Sequence, residues 1–268
     1  MKIFDCITFF RENFITNIRF EILKDCVDYF VICESKYDHK GNKKKLNFKL
    51  LNKDFKNKVI YTVKEKNFSK SNTPWQNQAA QREHLKNCVF DYSKNDDLIM
   101  FSDPDEIPNP SVVKNLKLTK KYGIFMQKCF VYKLNLFNSN ESPWEGTRVC
   151  LKKNLKSIDF MRQNVLKKNL QYSFFRLDKE KSVQIINNGG WHFNNLMSAS
   201  EIAKKIKTFA HTEFNVNRFS SVKIIKKKMD DKEDLFERGH FYKKIKIDRS
   251  FPEYILKNKN DFKKFIEK

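Results

Sequence analysis

A short apolar segment that runs directly into three acids constrains this chain more than any other feature of its sequence. Residues 98–101 are all apolar and have polar neighbours on both sides, which is typical of a strand buried on both faces of a parallel sheet. Asp103, Asp105 and Glu106 follow almost at once. Ligands of open α/β sheets bind beyond the carboxyl ends of the strands, so we expect these acids at a functional site.

The closeness of the three acids also predicts a cation. Neighbouring carboxylates repel one another, and either protonation or a bound cation relieves the repulsion. Mg²⁺ and Mn²⁺ prefer oxygen ligands, and Mg²⁺ is usually held by one or two carboxylates together with water and substrate phosphates. We therefore predict a site for a divalent cation and a diphosphate. The alternative is a plain polar turn, because Asp and Pro are both common turn residues.

The order of the predicted elements indicates an α/β fold with a mostly parallel sheet flanked by helices. Predicted strands cover residues 2–10, 29–33, 59–63 and 98–101, and predicted helices cover residues 12–24 and a segment that begins near Trp75. Asn109 and Pro110 predict a further helix start. Residues 122–136 predict a second, mixed region, and residues from 217 onward predict a Lys-rich helical segment without chemistry of its own.

The charge of the chain narrows the classes of partner. The 268 residues include 54 Lys and Arg against 32 Asp and Glu, a formal net charge of +22. Such a charge attracts anionic surfaces such as membranes, nucleic acid or phosphorylated ligands. The basic residues are mostly Lys, are spread over the whole chain and lack the Arg-Gly-aromatic pattern of RNA-binding modules. Nucleic acid is therefore the least favoured of these partners.

The cysteines and the apolar segments indicate where in the cell the protein is expected. The six cysteines include no Cys-x-x-Cys pair, and several lie in apolar runs, so we expect reduced, buried thiols. The N-terminus enters a strand-like pattern without a signal-peptide core, and no apolar run approaches the roughly 20 residues of a membrane span. We expect a cytoplasmic protein that could contact the inner face of an anionic membrane peripherally.

Two candidate ligand-binding segments lie outside the acids. On the predicted helix near Trp75, Arg82 belongs to a mixed polar and apolar stripe and could bind a ligand phosphate, with a structural salt bridge as the alternative. Further along, Trp144 offers a flat apolar face for a sugar ring, and Arg148 could clamp a phosphate or carboxylate. The alternative for that second segment is a hairpin turn with a packed Trp.

A glycine pair followed by Trp191 and His192 is the last landmark. Paired glycines permit positive φ or a close approach of the backbone to a ligand. His192 is predicted on a loop, where a neutral imidazole could complete a metal site or donate to a phosphate, although a lone His is more often structural. A helix follows, because Ser198 and Glu201 form a capping box and an apolar stripe continues through Ile202, Ile206 and Phe209.

Four segments together resemble glycosyltransferase family 17, the family of the β-1,4-mannosyl-glycoprotein 4-β-N-acetylglucosaminyltransferases. They are residues 3–10, Gln81-Arg82, residues 102–108, and Gly189-Gly190-Trp191-His192. They occur in the family's order and span about residues 1–210. The resemblance implies a single, Rossmann-like GT-A-like domain. Within it we predict a nucleotide-sugar-binding half in residues 1–108 and an acceptor-side half in residues 109–210, followed by a helical extension in residues 211–268.

The resemblance also implies the ligands. The donor is a nucleotide sugar, UDP-N-acetylglucosamine in the best-known members, and the reaction needs a divalent cation, Mn²⁺ or Mg²⁺, and inverts the anomeric carbon. Asp103 and Asp105 match the family's Asp-x-Asp, Glu106 matches its next acid and His192 completes its Gly-Gly-Trp-His. Asp103, Asp105 and His192 are the predicted cation ligands, and Trp191 and the three acids are predicted to contact the donor. The chain departs from the family in carrying Gln76 and Gln78 where acids are expected.

The predicted reaction is a single displacement by a hydroxyl of a glycan or lipid-linked acceptor. Glu145 is the predicted base, Trp144 the predicted surface for the acceptor sugar, and Arg82 and Arg148 the predicted contacts to the diphosphate. Two other functions stay open from the residues alone. One is a metal-dependent phosphohydrolase or nuclease, and the other is a non-catalytic basic module that binds an anionic polymer or a membrane.

Overall fold

The computed structural model describes residues 1–208 and 216–268, and within them one mixed sheet forms the centre of the fold. The strands are β1 (Ile3–Phe9), β2 (Tyr29–Ser35), β3 (Val59–Lys64), β4 (Leu98–Ser102), β5 (Glu106–Pro108), β6 (Tyr122–Val131), β7 (Leu136–Phe137), β8 (Trp144–Leu151), β9 (Val183–Asn194) and β10 (Lys243–Lys244). The helices are α1 (Asn13–Leu23), α2 (Pro74–Tyr92), α3 (Pro110–Lys114), α4 (Ile158–Gln163), α5 (Ala199–Thr208), α6 (Asn217–Ser220), α7 (Val222–Asp230) and α8 (Glu253–Lys257).

The N-terminal half of the sheet is parallel. Strands β3, β2, β1 and β4 lie side by side in that order and run in the same direction. Helix α1 connects β1 to β2, and α2 connects β3 to β4. The predicted α/β class, with a sheet flanked by helices, is confirmed. Because the strands are parallel, β1, β2 and β4 all end at the same edge of the sheet.

The second half of the sheet is mixed, as the pattern of residues 122–136 predicts. Strand β8 pairs antiparallel with β4, and β6 pairs antiparallel with β8 but parallel with β9. Strand β5 pairs antiparallel with β9. The turn between β4 and β5 therefore carries the chain from the parallel half onto the mixed half, and the three acids lie on this turn and at the start of β5.

The core lies on both faces of the sheet and is rich in aromatic rings. On one face Ile15, Ile18 and Ile22 of α1 are buried, as their spacing predicts. On the other face Leu85 and Val89 of α2 pack against β1 and β2. Phenylalanine supplies 26 residues. Fully buried rings include Phe4, Phe20, Phe30, Phe101, Phe125 and Phe130.

The C-terminal segment is less helical than its Lys-rich composition predicts. Among the described residues after position 215, only α6, α7 and α8 are α-helical, and residues 231–252 are mainly turns and extended chain. Phe251, Ile255 and Phe262 are buried in the core that also contains α1. Burial of these irregularly spaced apolar residues, rather than helix propensity, determines the path of the main chain in this segment. The predicted boundary at residues 210 and 211 and the predicted apolar position Phe209 lie outside the described residues.

Two expectations about the chain's chemistry can be checked directly. All six cysteines are free thiols, as the absence of a Cys-x-x-Cys pair predicts. No helix in the described part of the chain has both the length and the apolar character needed to cross a bilayer.

Candidate active site

The turn that carries the acids is held by main-chain hydrogen bonds. Pro104 follows Asp103 at a turn position that suits its fixed φ, and the N–H of Glu106 donates to the carbonyl of Asp103 over 3.0 Å. The N–H of Phe193, in β9, donates to the carbonyl of Asp105 over 2.8 Å. The acids therefore belong to a fixed turn attached to β9 and not to a solvated loop.

A buried arginine of α1 also holds this turn in place. Arg19 forms two hydrogen bonds of 2.6 Å with the carboxylate of Asp5, and both side chains are almost completely buried. Its guanidinium also donates to Ser102 Oγ over 2.9 Å and to the carbonyl of Glu106 over 2.6 Å. One guanidinium thus ties β1, the end of β4 and the start of β5 together.

Arg162, from α4, binds two of the three acids. Its Nη2 lies 2.8 Å from Asp103 Oδ2 and 2.7 Å from Glu106 Oε1, and its Nη1 lies 3.1 Å from Glu106 Oε2. Burial by itself would raise the pKa of Asp103, but the charges of Arg162 and Arg82 hold that pKa below its ordinary value. Asp103 therefore stays ionised, and both carboxylates are held in one orientation.

Asp105 is in a different electrostatic position. Its Oδ1 lies 3.7 Å from His192 Nε2 and its Oδ2 lies 3.9 Å from Lys205 Nζ, and both distances are longer than a hydrogen bond. Burial raises the pKa of Asp105, and the nearby His192 and Lys205 offset only part of that effect. Of the three acids, Asp105 is therefore the one whose charge is least compensated within the described residues.

Trp144 joins the acids to His192. Glu106 and His192 lie directly opposite each other in the β5–β9 ladder. The indole N–H of Trp144 donates to Glu106 Oε1 over 2.7 Å, and its ring lies on the imidazole with 4.8 Å between ring centroids. The three side chains form one wall at the carboxyl edge of the sheet.

A cavity of about 290 Å³ lies against this wall. The three acids line it together with Trp144, His192 and Lys205. The end of β1, the segment after β2 and one face of α2 close its other sides, through Thr8, Phe9, Tyr37, His39, Gln78 and Gln81. The cavity therefore lies beyond the carboxyl ends of parallel strands, where open α/β sheets bind ligands.

The segment after β2 forms part of this cavity because Glu34 anchors it. Glu34 is completely buried; its Oε1 binds Lys44 Nζ at 2.5 Å, and it accepts hydrogen bonds from the N–H groups of Asn47 and Phe48. Tyr61 donates to its other oxygen over 2.9 Å. The structure places Lys44, with Tyr37 and His39, along the cavity.

Helix α2 contributes amides where acids are expected from the family. Gln76 is used at the helix start, where it completes a capping box with Thr73. Gln78 lines the cavity, and its Oε1 is buried without a hydrogen-bond partner in the described part of the chain. Gln81 is held between His39 and the carbonyl of Cys33, each at 3.0 Å. Gln78 is thus the amide available to a ligand.

A second cavity, of about 520 Å³, lies on the other side of Trp144 and contains Glu145 and Glu141. Glu141 is bound to Arg238 at 2.6 Å. Glu145 Oε2 accepts from Arg148 over 3.3 Å and from the N–H of Lys167 over 3.1 Å, and about one third of its side chain is exposed. No hydrogen bond to Glu145 Oε1 occurs among the described residues, so this oxygen is the available carboxylate atom of the second cavity.

Three predicted donor contacts do not line the smaller cavity. Arg82 is buried and donates to Asp159 over 2.7 Å. Arg148 is buried and donates to the carbonyl of Val165 and to carbonyls of its own strand. Trp191 points to the opposite face of β9, where its indole N–H donates to the carbonyl of Ser250 over 3.0 Å. All three have protein partners, so we do not assign them to the donor.

His192 lies within strand β9 and not on a loop. The sequence prediction was wrong here because the glycine pair looks like a strand end, whereas β9 continues through it to Asn194. Gly190 has φ +126, and a Cβ there would lie 2.2 Å from the carbonyl oxygen of Ile107. The glycines thus permit a close approach to neighbouring strands, which places His192 opposite the acids.

The sequence analysis missed Arg19, Arg162 and Lys205. The basic residues of this chain are mostly Lys, so its few arginines mark places where a planar, forked cation is needed. Arg19 also falls on the apolar face of α1, which is a usable signal of a buried partner. Lys205 lies in a Lys-rich helix and carries no comparable signal.

The side chains around Asp105 fit a divalent cation. Asp105 offers a buried, poorly compensated carboxylate, and His192 Nε2 lies on the same side. In the described residues no group of three or more His, Cys, Asp or Glu side chains is arranged to hold a metal. The chain would therefore supply two ligands and leave the others to a diphosphate and water, as is usual for Mg²⁺. Arg162 already binds the carboxylate of Asp103, so Asp103 is not counted among these two ligands.

Comparison with known proteins identifies the family. The model of "Glycosyltransferase family 17" matches residues 1–266, which is nearly the whole chain. No curated protein matches.

Solved structures give distant likenesses. Glucosyl-3-phosphoglycerate synthase from Mycobacterium tuberculosis, with Mn²⁺, UDP-glucose and phosphoglyceric acid, has a TM-score of 0.39 and 9% identity over 95% of this chain and 91% of that one. The inositol-1-phosphate CTP transferase from T. maritima has a TM-score of 0.33 and 13% identity over 70% of this chain and 85% of that one. A glycosyltransferase involved in the glycosylation of the major capsid of PBCV-1 has a TM-score of 0.31 and 8% identity over 70% of this chain and 82% of that one. At these TM-scores the likenesses locate no ligand in this chain.

Proposed function

The chain belongs to glycosyltransferase family 17, and from this membership we propose that it transfers N-acetylglucosamine from UDP-N-acetylglucosamine to a hydroxyl of a glycan or lipid-linked acceptor, with inversion and with Mn²⁺ or Mg²⁺. The family makes the protein a glycosyltransferase, which decides against the phosphohydrolase, nuclease and non-catalytic alternatives. The donor, the acceptor and the cation are the proposed part.

The observation that carries the proposal is the position of Asp105. It lies in a cavity at the carboxyl edge of the parallel strands, with His192 on one side and Lys205 on the other. A buried carboxylate beside an imidazole and an ammonium can hold a cation and a diphosphate together. The carboxylates of Asp103 and Glu106 are already bound by Arg162, so they shape the cavity wall.

In the proposed reaction the residues of the chain have separate tasks. Asp105 and His192 hold the cation, which when bound offsets the negative charge that develops on the departing diphosphate. Lys205 binds a phosphate oxygen and strengthens that compensation. Gln78, whose Oε1 has no hydrogen-bond partner in the described residues, accepts a hydrogen bond from the donor.

The acceptor occupies the second cavity, beyond Trp144. The indole ring offers a flat face to a sugar. Glu145 Oε1 removes the proton of the attacking hydroxyl, since both carboxylate oxygens of Glu141 in the same cavity already accept hydrogen bonds, from Asn138 and Arg238. Attack from this side, opposite the diphosphate, gives inversion.

The test is thermal stability of the purified chain with Mn²⁺ and a panel of nucleotide sugars. A ligand at a hundred times its dissociation constant adds about 2.7 kcal/mol to the free energy of unfolding. We expect a Mn²⁺-dependent increase with UDP-sugars, largest with UDP-N-acetylglucosamine, and none in Asp105→Asn. The matched control is Asp96→Asn, which changes an exposed acid away from the cavity.

Each outcome is informative. A larger increase with another nucleotide sugar would reassign the donor, and an increase that persists in Asp105→Asn would overturn the proposed cation site. Equal stabilisation with and without EDTA would overturn the cation requirement. The acceptor is then sought by transfer of labelled sugar to soluble glycans and to lipid-linked glycans in detergent.

A further inference from the structure

Between α4 and β9 the chain forms an exposed apolar tip. Phe174, Phe175 and Leu177 have 81%, 88% and 88% of their surface exposed, which is far more than large apolar side chains usually show. Leu170 and Tyr172 beside them are also exposed. Several large apolar residues exposed on one short segment indicate an interaction site.

The protein holds this tip in a defined conformation. Asn169, only 2% exposed, donates to the carbonyls of Asn164 and Glu180 and so closes the base of the loop. Lys181 Nζ donates to the carbonyls of Ser173, Phe174 and Arg176 within the tip. These contacts leave the aromatic rings pointing outward while the main chain around them is fixed.

The segment that carries the apolar side chains has a net positive charge. Residues 167–181 include five basic and two acidic residues. Arg176 and Lys179 lie over the ring of Tyr172, at 5.4 and 5.7 Å from its centroid. An apolar tip with a basic rim matches the two layers of an anionic membrane surface, because rings enter the acyl boundary while cations meet the headgroups.

We infer that residues 170–178 dock this protein on an anionic lipid surface. The apolar side chains of the tip are almost fully exposed, and a deformable bilayer can take them up, whereas a protein partner would need a matching pocket. The net charge of +22 favours the same surface. Leu166 and Lys168, at the stem of the loop, line the cavity assigned to the acceptor, so docking would bring that cavity to the lipid surface.

The test is co-sedimentation of the full chain with vesicles. Donor and acceptor are absent, so the result does not depend on whether the transferase proposal is correct. The vesicles contain either phosphatidylcholine alone or phosphatidylcholine with phosphatidylglycerol. We expect binding to the anionic vesicles, and at least tenfold weaker binding for Phe174→Ser/Phe175→Ser/Leu177→Ser. The control variant Leu51→Ser/Phe241→Ser removes apolar side chains that are about two thirds exposed elsewhere and should bind like the wild type.

Further measurements separate insertion from charge alone. Because the substituted side chains are exposed, the triple variant should melt like the wild type. Phe175→Trp should give an emission that shifts to shorter wavelength on adding anionic vesicles. Equal binding by the triple variant and the wild type, or no spectral shift for Phe175→Trp, would overturn the inference. A wild-type dimer that the triple variant converts to a monomer would instead assign the tip to a second copy of the chain.

Discussion

Glu106 and His192 face each other across the β5–β9 ladder, and Trp144 contacts both, so the acid turn and the imidazole form one rigid unit. This arrangement predicts that His192→Asn weakens the binding of Mn²⁺ measured in the presence of UDP by at least about 10- to 100-fold, because loss of a partner of a metal ligand alone typically costs that much and here a proposed ligand itself is lost. His39→Asn is the control, since His39 lines the same cavity but binds Gln81. Equal Mn²⁺ affinity in the two variants would remove His192 from the cation site.

Arg19 and Asp5 should show strong energetic coupling. Arg19→Met leaves a buried carboxylate without its cation and should lower the free energy of unfolding by about 3–5 kcal/mol. The double variant Asp5→Leu/Arg19→Met should lose much less free energy of unfolding than the sum of the losses in the two single variants. The double variant should still lose transferase activity, because Ser102 and the carbonyl of Glu106 lose their donor. Denaturant unfolding and a transfer assay measure the two effects, and additive losses of stability would contradict this account.

Glu145→Gln should lower the rate of transfer by about 10²- to 10⁴-fold, the usual contribution of a general base. Stabilisation by the donor and Mn²⁺ should be unchanged, because Glu145 lies in the second cavity. Glu141→Gln is the comparison in the same cavity and should affect the rate much less. Transfer at the wild-type rate in Glu145→Gln would rule out Glu145 as the base.

Gly190→Ala should destabilise the fold and the site together. A Cβ at this position would lie 2.2 Å from the carbonyl oxygen of Ile107, and φ is +126. We expect a loss of about 1–3 kcal/mol or more from overpacking. Gly239→Ala isolates the cost of positive φ, because Gly239 has φ +79 with open space around it. Denaturant unfolding measures the free energy of unfolding of both variants. If Gly190→Ala lowers it no more than Gly239→Ala does, the close approach of β9 to β5 is not required for stability.

The cysteines should react slowly with thiol reagents while the protein is folded. Burial raises the pKa of Cys26, Cys33 and Cys150 to about 12, so their reactive thiolate forms are scarce at pH 8. Reaction with a chromogenic disulfide should be slow in buffer and fast, with all six thiols, in denaturant. Rapid reaction of these three thiols in the folded protein would show that the core opens.

The sequence predicts the parallel half of the fold and the acids because both signals are local. An apolar run predicts β4, and Asp103, Asp105 and Glu106 follow it directly. The partners of these acids are not local. Arg162 is contributed by a short helix far along the chain and reaches the acids only because β8 and α4 fold back over them.

The errors in β9 and in the C-terminal segment share a physical cause. Glycine weakens a strand interior, so Gly189 and Gly190 suggest a break. Pairing with β5 and β6 on both sides overrides that tendency and keeps His192 in the strand. In the same way, burial of residues such as Phe251 overrides the helix propensity of the Lys-rich segment. Both kinds of tertiary contact join residues that are far apart in the sequence, so neither can be predicted from a short stretch of neighbouring residues.

The cavity around Asp105 is bounded by Thr8 near one end of the chain and by Thr208 at the end of α5. No short fragment contains its walls, and β9 supplies His192 only after β5 and β6 are in place. Because the N-terminus is synthesised first, the parallel half can form while the rest of the chain is still being made. A ribosome-bound chain would therefore complete the proposed donor site late in translation, after Lys205 has emerged.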